Sequence, residues 1–248
     1  MTTITTSPGF DMGRVIQRTF DVLGQNIGPF LIISVLFIAL PTELSGLTQT
    51  QKGGGLIKFV LFLIQLAASS AGQAAAIWGA VNALDGGKAD VQEWIRQGAP
   101  HWWRVIAISL LTGIAIALAS VLFLAPGLYL LTRMVVAVPA QVSENTGVFV
   151  AFSRSADLTK GRRWAVLGLV LLLFVPLTIL EFLLIGFANQ FHGGLTAAVS
   201  SPVTRLVVLP LFVCVTTPIS LAGVAALYVE LRAGREGPGA GRLAAIFD

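Results

Sequence analysis

The chain of 248 residues is 55% hydrophobic and only 11% charged, with a mean hydropathy of +0.84. A soluble domain carries about 25% charged residues, so a water-soluble globular fold is excluded and hydrocarbon is the expected medium. The net charge of +4 would suggest nucleic acid in a soluble protein. Here the basic residues lie between apolar runs, where membrane orientation accounts for them, and no nucleic-acid partner is expected.

Residues 1–27 read as a cytoplasmic N-terminus. They lack the basic start, short apolar core and small-residue cleavage site of a signal peptide, so the first hydrophobic helix is expected to act as an uncleaved targeting signal. In FDMGRVIQRTFDVLGQN, Phe10, Val15, Ile16, Phe20 and Leu23 share a helical face, while Arg14, Arg18 and Asp21 lie elsewhere. This is the pattern of an amphipathic helix lying in the membrane interface.

Crossing a ~30 Å hydrocarbon layer takes about 20 apolar residues in a helix. Six stretches qualify, near residues 28–47, 56–84, 104–125, 127–144, 164–186 and 203–230, giving a bundle over 28–230 and a cytoplasmic tail over 231–248. The second contains AASSAGQAAA, whose small residues suit close helix packing; a polar path along Ser69, Ser70 and Gln73 is the alternative. Ala125-Pro126-Gly127 predicts a tight turn between the third and fourth. Pro41, Pro139, Pro176, Pro210 and Pro218 fall inside spans, where each removes a backbone donor and favours a kink.

The cations sort by side. Arg14, Arg18, Lys88, Arg96, Arg104, Arg154, Lys160, Arg162, Arg163, Arg232, Arg235 and Arg242 flank the spans on one side, against Lys52, Lys58 and Arg205 on the other. Positively charged loops stay in the cytoplasm, so both termini are expected there. QRTFDV at 17–22 aligns with SRSADL at 153–158, and ADVQEWIRQGAPHWWR keeps the same order of features. The expected fold is therefore all-α, six transmembrane helices in three hairpins, each preceded by a cytoplasmic amphipathic helix.

Two intramembrane charges need an account. Arg133 interrupts PGLYLLTRMVVAVPA and Glu181 interrupts the fifth span. Counted from the outer turn at Pro126, Arg133 is expected roughly 10 Å into the membrane. There it either pairs with Glu181 or snorkels to outer headgroups, with Glu181 in the outer interface. Four cations and Trp164 crowd the stretch SRSADLTKGRRWAV. Such clusters attract anionic lipid by ~1 kcal/mol per basic residue, which makes Arg154, Lys160, Arg162, Arg163 and Trp164 the candidate lipid- or partner-binding residues.

Signatures of catalysis are absent. His101 lies beside Trp102 and Trp103, where an aromatic interfacial girdle is the expected role, and His192 has no second ligand near it in sequence. There is no zinc-hydrolase motif, no serine-nucleophile elbow and no phosphate loop. The single Cys214 rules out an internal disulfide and reads as a packing residue. Neither a cofactor nor a metal is expected, and no enzyme activity.

The run PGLYLLTRMVVAVPAQVSEN followed by FSRSADLTKGRRW resembles the membrane domain of some glycerophosphoryl diester phosphodiesterases, a group related to the YciC-like bacterial inner-membrane proteins. The shared pattern falls on Pro126, Gly127, Tyr129, Arg133, Pro139, Glu144, Arg154, Ser155, Leu158, Thr159, Lys160, Gly161 and Trp164. The closing YVELRAGREG is similar to the family's last helix as it leaves the membrane. The chain has no room for the soluble phosphodiesterase barrel and lacks the paired histidines and carboxylates its chemistry needs. What the resemblance implies is a stand-alone bacterial inner-membrane bundle tied to lipids or envelope upkeep. The functional expectation is a non-enzymatic module that binds membrane phospholipid or a protein partner. A small transporter around Arg133 and an accessory subunit of a lipid-modifying enzyme are the alternatives.

Overall fold

The structure, a computed structural model, describes residues 10–49, 54–88, 90–192 and 204–237. Residues 1–9, Lys52 and the tail beyond 237, with Arg242, lie outside the described residues. Among the described residues every regular element is helical. Six helical runs are long and apolar enough to cross a membrane: Ile27–Leu44, Gly55–Leu84, Val91–Val121, Ala125–Glu144, Arg163–Phe187 and Leu209–Glu236.

Helix α1 (Met12–Gln25) starts where the Asp11 carboxylate accepts the Gly13 amide at 2.8 Å and the Arg14 amide at 3.4 Å. That satisfies two first-turn donors with no acceptor of their own. Its buried face is Val15, Thr19, Val22 and Leu23. Phe20, expected on that face, is exposed. The apolar stripe is wide, and only one edge of it meets the bundle.

Helix α2 (Ile27–Ile33) passes through a π-helical turn (Ser34–Ala39) into α3 (Leu40–Gln49). The widened turn sits immediately before Pro41, which has no amide to donate back into it. The same relation recurs in a π turn (Thr204–Val208) before Pro210. Before Pro139, helix α7 (Leu124–Met134) stops and α8 (Ala137–Glu144) resumes. Proline thus marks three places where the α-helical ladder is interrupted.

The small-residue stretch of α4 (Gly55–Leu84) packs closely. Ala74, Ala75, Ala76 and Ala80 are buried. Gly98, at the end of α5 (Val91–Gly98), lies so near that a Cβ there would stand 2.3 Å from Ala75 Cα. Trp94 of α5 is 1% exposed and meets Phe30 edge to face at 5.2 Å between ring centroids. A 3-10 turn (Ala99–His101) joins α5 to α6 (Trp102–Leu122).

The link from α6 to α7 is tighter than the sequence predicts. Only Phe123 is extended, and Pro126 and Gly127 fall inside the start of α7. Proline is tolerated there because first-turn amides lack partners anyway. Gly127 permits the close approach, since a Cβ would stand 2.0 Å from Ser120 Oγ. Beyond α8, Asn145 adopts a left-handed conformation with φ 49°, and α9 (Val148–Thr159), α10 (Arg163–His192) and α11 (Leu209–Glu236) follow.

Packing is concentrated toward one end of the bundle. The second half of α4, the second half of α11 and the first turns of α10 are buried against α1, α5, α8 and α9. The first half of α4, the second half of α6 and α10 beyond Val170 carry long exposed apolar faces. Such faces are stable in lipid, where apolar exposure has no hydration cost.

Candidate functional site

The closing turns of α11 gather partners from distant parts of the chain. Glu230, 3% exposed, receives Arg18 Nη1 at 2.9 Å and Arg14 Nε at 3.3 Å. The two arginines stand one turn apart on α1, so one helical face presents both. Arg232 Nη2 donates to Asp85, which ends α4, at 2.6 Å. Tyr228 is fully buried and donates its hydroxyl to Glu144 at 2.8 Å. Arg235 Nη2 donates to the Asp157 carbonyl at 2.7 Å. A carboxylate removed from water costs several kcal/mol unless paired, so each acid in this layer has its cation or hydroxyl.

This layer revises the candidate binding set. Arg154 Nε donates to the Glu144 carboxylate at 2.8 Å, and Arg154 Nη2 donates to Glu236. Burial alone would lower the affinity of Arg154 for its proton, but bonds to Glu236 and Glu144 outweigh this and hold its pKa above the ordinary arginine value. Arg154 is therefore committed to two carboxylates and joins α9 to α8 and α11. It is a structural cation rather than one open to an external anion.

Lys160, Arg162, Arg163 and Trp164 remain together at the α9–α10 junction. Lys160 is exposed, and Trp164 is 87% exposed. Arg162 reaches toward α11, where a methyl group on Gly234 would stand 2.2 Å from its Nη1. That Nη1 is buried without a hydrogen-bond partner, as is Arg163 Nε. Arg163 Nη1 donates to the Tyr129 hydroxyl at 2.6 Å, and the guanidinium carbon lies 4.6 Å from the Tyr129 ring centre. A groove of about 540 Å³ opens between α7 and the start of α10, and Tyr129, Arg163 and Trp164 line it with Leu128 and Leu167. The first-turn amides of α10 have no intrahelical acceptor and carry partial positive charge.

Arg133 and Glu181 are not brought together. Both side chains are exposed, and no ion pair joins them. The Arg133 carbonyl accepts the Ser155 hydroxyl at 2.7 Å, and Tyr129, one turn earlier on α7, holds the first residue of α10. Arg133 therefore stands at the level of the α10 start. Glu181 lies about 27 Å farther along α10 at ~1.5 Å per residue. Counting inward from Pro126 assumes a straight full-length span, whereas α7 is short and packs beside α9 and α10.

Among the described residues no three His, Cys, Asp or Glu side chains converge as a metal site. His101 Nε2 is 3.1 Å from Asn145 Oδ1, which also receives Arg104 Nη1 at 2.6 Å, so this end of α6 is tied to the end of α8. Asp85, Tyr228 and Glu230 belong to no local sequence motif of function, and Tyr129 and Glu144 stand out only through the family resemblance. A carboxylate inside the apolar run AALYVELR was the available signal, because such a group requires a cation. No protein-family model, curated protein or solved structure matches the chain.

Proposed function

We propose that this chain is a non-enzymatic, multi-pass protein of the bacterial inner membrane that binds anionic phospholipid at its cytoplasmic face. On this reading both termini are cytoplasmic, three helical hairpins cross the membrane, and α1, α5 and α9 lie in the interface. The distribution of cations supports the orientation. The resemblance to phosphodiesterase membrane domains supports a place in lipid or envelope upkeep.

The observation that carries the reading is the α9–α10 junction. Lys160 and Trp164 are exposed there, and Arg162 and Arg163, neighbours in sequence, each carry a buried guanidinium donor with no acceptor from the protein. An unpaired buried donor on a charged group costs more than a neutral one, and a phosphate oxygen satisfies it with a short charge-assisted bond. Tryptophan favours the headgroup level, where its ring is apolar and its N–H is wet.

The test is lipid retention through mild detergent extraction, read by mass spectrometry. The parent is expected to retain phosphatidylglycerol in preference to phosphatidylcholine. The combined variant Lys160→Gln, Arg162→Gln, Arg163→Gln is expected to lose that preference. An unchanged preference in a variant that still folds overturns the proposal.

A further inference from the structure

The groove between α7 and α10 has two unlike ends. Tyr129 and Arg163 mark one end, joined by their 2.6 Å hydrogen bond. Ala125 lies one turn before Tyr129 and Leu167 one turn after Arg163, and both line the same groove. These two residues therefore lie about 6 Å along the groove from the Tyr129–Arg163 pair, at ~1.5 Å per residue. Leu128 completes an apolar wall. A volume of about 540 Å³ lies within the range of small-molecule sites. The polar end offers the Arg163 guanidinium and the positive end of α10.

An inorganic anion would use only the polar end and leave the apolar wall empty. A neutral lipid would fill the wall and leave the guanidinium unpaired. The occupant that matches both is amphipathic, with a phosphodiester at its head and a hydrocarbon chain behind it. We infer that the α7–α10 groove is a discrete site for one glycerophospholipid, its phosphate at the Arg163 guanidinium and the first turn of α10, and one acyl chain along Ala125, Leu128 and Leu167. The inference rests on the proposed lipid-binding reading and goes beyond it, from a basic surface that attracts many lipids to a saturable site for one.

Tyr129 positions the arginine. Its hydroxyl accepts one guanidinium N–H and its ring lies beside the cation, which fixes the guanidinium at this end of the groove. Trp164 lines the same end of the groove and is exposed.

Native mass spectrometry of the full chain, titrated with phosphatidylglycerol in mild detergent, distinguishes the two levels. The parent is expected to show one adduct that saturates at one lipid per chain. Arg163→Gln is expected to weaken it about 10- to 100-fold, the value of one lost charge-assisted bond. Leu128→Trp fills the groove while keeping every cation and is expected to abolish the saturable adduct. Leu167→Trp blocks the groove from the opposite wall and serves if the first variant does not fold. Glycerophosphoglycerol, the same head without chains, is expected not to compete.

If groove-filling variants keep the adduct while triple neutralisation of Lys160, Arg162 and Arg163 removes it, the groove site is overturned and the basic-surface reading stands. If neither change affects retention, both fall. Effective competition by glycerophosphoglycerol overturns the acyl-chain assignment.

Discussion

Replacing Gly98 with alanine tests the packing of the small-residue face of α4, because two physical effects predict opposite signs. By helix propensity alone the change is favourable, since alanine is preferred over glycine in a helix by up to ~1 kcal/mol. By packing it is not. The new Cβ would stand 2.3 Å from Ala75 Cα and 2.6 Å from both the Ala74 carbonyl oxygen and the Ala75 amide nitrogen. Carbon atoms in contact prefer ~3.5 to 4.0 Å, so α5 must move off α4 by about 1 Å or more. Overpacking costs ~1 to 3 kcal/mol, and the upper end applies because all three obstructing atoms are backbone and no rotamer can relieve them.

The net expectation for Gly98→Ala is a loss of about 2 kcal/mol, a fall in the unfolding midpoint of ~4 to 8 °C for a chain of this size. Gly113→Ala in α6 is the matched control. A Cβ there meets nothing within 4 Å, so propensity acts alone and the midpoint is expected to rise by up to a few degrees. Both variants are to be unfolded in the same detergent at one scan rate, with tryptophan emission as the signal. A Gly98→Ala midpoint at or above that of the parent would refute the close α4–α5 contact.

Two further perturbations bear on the charged layer. Glu230→Gln keeps the volume but removes the carboxylate between Arg14 and Arg18. About 1 to 3 kcal/mol of destabilisation is expected, below the ~3 to 5 kcal/mol typical of a fully buried pair because the arginines are one-third exposed. Limited trypsin digestion should then cut faster after Arg14 and Arg18, and an unchanged cleavage rate would contradict the latch of α1 on α11. For Arg133 and Glu181, the stabilities of Arg133→Gln, Glu181→Gln and the double variant should add within about 0.5 kcal/mol. A coupling above ~1 kcal/mol would show that the two charges meet.

The charged layer depends on the second half of α11, which the sequence presents as a membrane exit and the fold uses as a keystone. Tyr228, Glu230, Arg232, Arg235 and Glu236 point in different directions around one helix. Their partners lie on four elements: Tyr228 meets α8, Glu230 meets α1, Arg232 meets the end of α4, and Arg235 and Glu236 both meet α9. The motif of the family resemblance acquires a physical meaning in the same way. Tyr129 meets Arg163, Glu144 meets Arg154, and the Arg133 carbonyl meets Ser155. These contacts dock α7 and α8 on α9 and α10, so that pattern describes packing before it describes chemistry.

Hydropathy belongs to single stretches of chain, which is why six membrane-length helices were legible before any fold was known. Proline position was legible only in part, since Pro41, Pro139 and Pro210 follow interruptions while Pro176 and Pro218 lie inside continuous helices. The basic cluster at 154–164 was legible for the same reason. Which of its members remain open to a ligand was not. Arg154 is neutralised by Glu236 from 82 residues away, and Arg18 is claimed by Glu230 from 212 residues away. The meeting of Arg133 and Glu181 failed because their depths depend on where α7 stops and what it packs against, and neither is written in local composition. Coulomb energy falls with distance in space rather than along the chain, so only the tertiary structure decides which charges are already spent.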